Sequence, residues 1–426
     1  MNTDVLLPQK FGYSTDRADL ESEVRTYSRS WPTVFTQAAG SRLRDLDGRS
    51  YLDFFAGAGA LNYGHNNPVL KARLLEYLAG DGVVHSLDTM TEAKQGFLDS
   101  LHDRVLRPRD LDYKVQFTGP TGTNAVEAAL KLARKVTGRQ SVVAFTRGFH
   151  GMSLGALALT GNASKRAAAG VPLGHVLRIP YEGQRVPGLD LLADLLRDAG
   201  SGVELPAAVV VETVQGEGGV NVASSAWLRT LATLCEAWGM LLIVDDIQAG
   251  CGRTGEFFSF EAAGLHPDIV CLSKSISGYG LPMAITLFKR ELDLWQPGEH
   301  NGTFRGNNLA FVTATAALDL YWQDSGLQES TRRKADVVAG ALGEMADRHA
   351  GLGARHRGRG LFWGIEFDDP GLAVRIARSA FRRGLLVETA GPRDEVVKLL
   401  PPLTVSDEDL REGLDVLAEA VDENAE

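Results

Sequence analysis

Lys274 follows the run "IVCLS" (Ile269–Ser273). An ammonium at the end of what reads as a buried strand is costly unless it is paired or neutralised. Asp245 closes a second apolar run, "MLLIVDD" (Met240–Asp246), with Gln248 three residues on, and Glu212 closes a third, "AAVVVE" (Ala207–Glu212). Upstream, "TGPTGTNAVEAALKLAR" is a loop entering a helix. Backbone N–H groups at such a start make an anion site, and the hydroxyls of Thr121 and Thr123 add donors. The loop lacks the terminal Gly-Lys-Ser/Thr of a P-loop. "FHG" (Phe149–Gly151) offers a flat ring face after the strand "SVVAF" (Ser141–Phe145).

A phosphate cradle, a ring to stack on, a buried carboxylate and a lysine together suggest pyridoxal phosphate. Asp245 would keep the pyridine nitrogen protonated, so that the ring takes up carbanion electrons. Gln248 could hydrogen-bond the ring hydroxyl. Lys274 would be neutralised as a Schiff base, and the freed amine, its pKa lowered, could move a proton. Each residue also has a plainer reading. Lys274 could snorkel at a strand end, Asp245 could cap a helix, and Thr121–Thr123 could be a turn. Glu212 reads as a brace near Asp245, His150 as a site wall or a packing residue, and His65 as a residue ordering its loop.

These groups converge only if several strands end at one edge. Short β-rich runs, which also include "MAITLF" (Met283–Phe288), alternate with helical stretches such as Gly122–Val136 and Ser225–Gly239. Nearly continuous apolar runs are what parallel strands covered on both faces require. The reading is α/β, with a mostly parallel central sheet over residues 62–310 and ligands at the carboxyl ends of its strands. A smaller α+β domain is expected from residues 1–61 and 311–426. It holds an "LDG" hairpin turn near the start, a strand "LFWGIEF" (Leu361–Phe367) and a closing helix. Ser406 and Asp409 form a plausible N-cap pair for that helix, whose stripe is Leu410, Leu414, Leu417 and Val421.

"LLIVDDIQAGCGRTG", "VVVETVQGEGG", "CLSKSISGYGLPMA" and "HNGTFRGNN" resemble the signatures of class III pyridoxal-phosphate aminotransferases. The likeness runs from about Arg42 to Leu403. It implies a fold-type I transferase in which Lys274 carries the cofactor, Asp245 pairs with its ring nitrogen and Gln248 contacts its hydroxyl. It further implies that Phe149 stacks on the ring, that Gly122 and Thr123 hold the phosphate, and that Thr303 reaches the phosphate of a neighbouring subunit in an obligatory dimer. Finer blocks, "ESEVRTYSRSWPTVF", "YLDFFAGAGALNYGHNNPVLK" and "HSLDTMTEAK", resemble the branch that forms 2,4-diaminobutyrate for ectoine. That branch takes glutamate as donor and aspartate 4-semialdehyde as acceptor, with ping-pong turnover. One departure stands out. Many members pair the glutamate of "VQGEGG", here Glu217, with an arginine whose place is taken by Lys398. Lysine offers no bidentate fork, so the carboxylate grip is expected to weaken or move, with Arg305 as a candidate, or Glu217 and Lys398 to form a structural pair.

The chain has 426 residues, 44% of them hydrophobic, and a net charge of -10, which argues against nucleic acid as partner. No secretory leader or membrane span is expected. Cys235, Cys251 and Cys271 lack metal-type spacing and read as reduced core thiols of a cytoplasmic protein. The alternatives are another ω-transaminase acting on 4-aminobutyrate or ornithine, one making diaminobutyrate for a siderophore or peptide, an isomerase, and a non-catalytic cofactor-binding module.

Overall fold

Side chains alternate across a strand, so a strand covered on both faces must be apolar at every position. The computed structural model, which describes residues 20–425, shows the middle of the chain obeying this rule. Val143, Phe145, Val209, Val211, Leu242, Val244, Val270 and Leu272 enter one buried cluster. Their neighbours Val142, Ala144, Ala208, Val210, Ile243, Ile269 and Cys271 enter another, on the opposite face of the same sheet. Cys235 and Cys251 join the first cluster, and all three cysteines are buried and free.

The five expected strands are present as Val142–Phe145, Ala208–Val211, Leu241–Asp245, Ile269–Leu272 and Ile285–Lys289. Two more, Tyr113–Phe117 and Val176–Ile179, close the edges of a seven-stranded sheet. Its order is 113–117, 285–289, 269–272, 241–245, 208–211, 142–145, 176–179. Ile285–Lys289 runs against both neighbours, and every other pairing is parallel. The architecture is therefore α/β and mostly parallel, as the alternation of elements implies.

The helix Gly122–Thr137 packs Ala125, Val126, Ala129, Leu130, Leu132 and Ala133 into the second cluster and ends on Gly138 in the left-handed conformation. The helix Ser225–Trp238 starts on Ser224, whose hydroxyl accepts the N–H of Trp227. The helix Asn308–Tyr321 sends Ala310, Phe311, Ala314 and Leu318 into the core of the large sheet, so a domain end at residue 310 falls inside it. Its side chains belong with the sheet because that is the apolar surface they cover.

Two four-stranded sheets flank this body. In one, Phe35–Ala39, Arg42–Asp45 and Ser50–Asp53 form a meander, and Leu385–Leu386 from the far end of the chain pairs in parallel with Ser50–Asp53. Gly48 of the "LDG" turn has φ +85°, which suits glycine. The other sheet is antiparallel, in the order Arg355–Arg359, Phe362–Glu366, Val396–Leu399, Glu388–Ala390. The closing helix, Asp407–Ala425, buries the expected stripe. Ser406 caps it by accepting the N–H of Asp409 at 3.0 Å, but the Asp409 carboxylate turns to Arg42 at 2.6 Å instead of answering the cap. Among the described residues no helix is long and apolar enough to cross a membrane.

Candidate active site

A parallel sheet delivers its strand ends to one edge, and the polar residues there meet in a cavity of about 170 Å³. Gly122, Thr123, Phe149, Asp245, Gln248 and Lys274 all line it, with His150, Glu212 and Glu217. Thr303 does not. It is exposed on a short turn, where its carbonyl accepts from His85 Nε2 at 2.8 Å. Thr121 is also outside: its N–H and hydroxyl both donate to Asn124 Oδ1, at 3.4 and 2.8 Å. The anion donors on the cavity wall are thus Gly122 and Thr123, in the first turn of a helix whose opening N–H groups have no intrahelical acceptor.

Asp245 is 5% exposed. Its Oδ1 accepts the N–H of Ile247 at 3.2 Å, and its Oδ2 lies 2.8 Å from Nδ1 of the buried His150. Burial alone would depress His150, but the hydrogen bond to Asp245 and the charges of Glu212 and Asp245 lift it above the usual histidine range. His150 therefore holds Asp245 in place and does more than fill space. Glu212 accepts the N–H of Phe149 at 3.0 Å, so it braces the aromatic loop and not Asp245. Burial raises its carboxyl to about 7 against the pull of His150.

Gln248 Nε2 donates to the carbonyl of Ala58 at 2.9 Å and lies 3.4 Å from Glu217 Oε1. Gly216 of "VQGEGG" permits this, since a Cβ there would sit 1.7 Å from Gln248 Oε1. Lys274 opens the turn Lys274–Ser277 with φ +53°, a left-handed backbone uncommon for a residue bearing Cβ. Such strain collects at functional sites. Burial lowers its amine below the usual lysine range, with Glu217 opposing and Lys398 assisting.

Lys398 is fully buried, with Nζ 2.6 Å from Glu217 Oε1 and 3.0 Å from Glu388 Oε1. Burial works against its charge, yet the two carboxylates hold the ammonium above the usual lysine range. Burial would also raise Glu217, but Lys398 and Lys274 outweigh it and bring that carboxyl down to about 2. Arg305 pairs with Asp88 and lines neither this cavity nor its neighbour. Within this chain Lys398 is paired with Glu217 and Glu388, and Arg305 with Asp88. Glu388 was not expected. It is a lone acid in "LLVETA", and its partner lies across a strand pair that no local pattern reveals.

The donor set suits pyridoxal phosphate. Helix N–H groups suit an anion, a buried carboxylate such as Asp245 suits a protonated ring nitrogen, the amide of Gln248 suits a ring hydroxyl, and the amine of Lys274 suits an aldehyde.

Comparison with known proteins agrees. The family Aminotransferase class-III matches residues 25–421. A diaminobutyrate–2-oxoglutarate transaminase of Streptomyces avermitilis is 62% identical over 410 residues, which cover 95% of this chain and 97% of that protein. Another, from Virgibacillus pantothenticus, is 56% identical over 402 residues, covering 94% and 96%. Among solved structures, an ornithine aminotransferase of Toxoplasma gondii, with pyridoxal phosphate partly occupying its active site, is similar with a TM-score of 0.83. That likeness is at 26% identity and covers 96% of this chain and 94% of that one.

Proposed function

This chain belongs to the class III aminotransferases, enzymes that use pyridoxal phosphate, and from that premise we propose that it makes L-2,4-diaminobutyrate. In this reading L-aspartate 4-semialdehyde is the acceptor, glutamate the amino donor and 2-oxoglutarate the released product. The observation that carries it is 62% identity, over 95% of the chain, to a diaminobutyrate–2-oxoglutarate transaminase. The sequence blocks at the front of the chain support placing the reaction at the head of ectoine formation. The three buried, free cysteines support a cytoplasmic enzyme.

When bound, pyridoxal phosphate supplies an electron-accepting ring that carries the amino group between the two substrates. Gly122 and Thr123 bind its phosphate through N–H groups at the helix start. Phe149, its loop pinned by Glu212, would supply the apolar face for the ring. Asp245 keeps a proton on the ring nitrogen, and His150 fixes the direction of that carboxylate. Lys274 Nζ, its basicity lowered by burial, would take the proton from the amine-bearing carbon and return it. Thr303 reaches the phosphate bound by a second subunit, so the assembly is at least a dimer. Its exposure on this chain, beside the 66% exposed Phe304, supports that arrangement.

The test incubates the enzyme with 2-oxoglutarate and 2,4-diaminobutyrate, 4-aminobutyrate or ornithine, and measures glutamate. Diaminobutyrate is expected to be the best donor by at least tenfold in kcat/KM. A better rate with either rival removes the substrate assignment.

A further inference from the structure

A second chamber of about 820 Å³ shares Phe149 and Glu217 with the inner cavity, and Arg25, Tyr27, Arg147 and Glu388 also line it. A dicarboxylate substrate needs a cation here for the end that does not react. On this chain Lys398 is committed to two carboxylates, Arg305 pairs with Asp88 outside the chamber, Arg29 pairs with Glu23, and Lys165 and Arg378 on the same wall are exposed. Arg147 is half-buried, with no carboxylate partner and no side-chain hydrogen bond among the described residues. Arg25 lies 3.7 Å from Glu23, and its Nε is buried without a partner. Buried donors are nearly always paired, so the unpartnered Nε of Arg25, beside a half-buried Arg147 that meets no carboxylate, points to a missing acceptor on this chamber wall.

The backbone supports the same view. Arg147 has φ +65°, a conformation that glycine and asparagine tolerate far better. Space is made for it: a Cβ on Gly218 would lie 2.4 Å from the Arg147 carbonyl oxygen, and one on Gly161 would lie 2.8 Å from its nitrogen. The loop is thus built to put an arginine two residues before Phe149, at the junction of the two cavities.

We propose that Arg147, with Arg25 on the same chamber, binds the distal carboxylate of glutamate and 2-oxoglutarate. A guanidinium presents the paired donors that a carboxylate fits, which is the fork Lys398 cannot supply. The proposal rests on the reading that this pair of dicarboxylates is the donor couple.

The test titrates glutarate into the pyridoxal-phosphate-loaded enzyme and follows the heat of binding. Glutarate has both carboxylates and no amine or keto group to react. Arg147→Asn removes the guanidinium and keeps a residue that accepts the left-handed backbone. The glutarate Kd is expected to rise at least tenfold in Arg147→Asn and severalfold in Arg25→Met. KM for 2-oxoglutarate rises in step, while kcat stays within about threefold. A glutarate Kd within twofold of the parent in Arg147→Asn overturns the proposal, and so does absence of glutarate binding by the parent. If Arg147→Asn fails to retain cofactor, Arg147→Lys keeps the charge and loses the fork. Glutarate binding severalfold weaker than the parent supports the proposal, and unchanged binding overturns it. A preference for 4-aminobutyrate or ornithine over diaminobutyrate defeats the diaminobutyrate assignment alone, and the glutarate titration still decides this site.

Discussion

Lys398 stands directly opposite Glu388 in an antiparallel strand pair, and its other face meets Glu217, which lines the inner cavity. One buried ammonium thus balances two carboxylates, the buried Glu388 and the half-buried Glu217. Tyr27 donates a further hydrogen bond to Glu388 at 3.3 Å. Burial raises Glu388, so its protonated form is favoured more than that of an ordinary glutamate. The cluster fixes the position of Glu217 at the mouth of the cofactor cavity.

Deleting the shared cation strands both acids, whereas neutralising Glu388 leaves an intact pair. Lys398→Met is expected to cost about 3–5 kcal/mol and Glu388→Gln clearly less. Thermal unfolding of the cofactor-loaded enzyme checks the order. Equal losses, or a larger loss in Glu388→Gln, would count against the cluster.

Asp246, next to Asp245, carries a pH signature. It is fully buried, Oδ2 accepts the N–H of Ser259 at 3.1 Å, and Oδ1 has no partner among the described residues. Burial raises its carboxyl to about 7. A group raised in the folded state contributes its full stability below its unfolded pKa and loses it as pH climbs through the folded one. The parent enzyme therefore loses up to about 4 kcal/mol through this residue between pH 4 and pH 8. Asp246→Asn does not titrate, so the melting temperature of the variant minus that of the parent is expected to grow from pH 5 to pH 8. A difference that stays flat or shrinks would refute the assignment.

His150 acts through Asp245. His150→Phe keeps the volume and removes the 2.8 Å hydrogen bond. Cofactor affinity is expected to fall about tenfold, the worth of roughly one charge-assisted hydrogen bond. His150→Asn, which retains a donor, should recover part of it. Spectrophotometric titration with pyridoxal phosphate reads both, and equal affinities in parent and His150→Phe would leave His150 as mere packing.

Much of this was legible in the sequence because parallel strands leave a simple mark. Runs such as "AAVVV" are apolar throughout since both faces are covered, and the polar residue that ends each run marks the ligand edge. The two strands of the large sheet without this mark, Tyr113–Phe117 and Val176–Ile179, are its edges. They are only partly covered, and Lys114, Gln116 and Arg178 break their apolar pattern. The site divides in the same way. Lys274, Asp245 and Gln248 declare themselves through local context. Glu388, Arg25 and Arg147 do not, because their roles depend on which distant segments meet around the chamber.

The central claim is that Lys274 is the amine that binds the cofactor, with Asp245 behind the ring. The direct measurement loads the enzyme with pyridoxal phosphate, reduces it with borohydride and maps the modified peptide by mass spectrometry. The account predicts a single stable adduct on Lys274, absent from Lys274→Ala and much reduced in Asp245→Asn. An adduct on Lys398 or another lysine, or none on an enzyme that still transaminates, would contradict it.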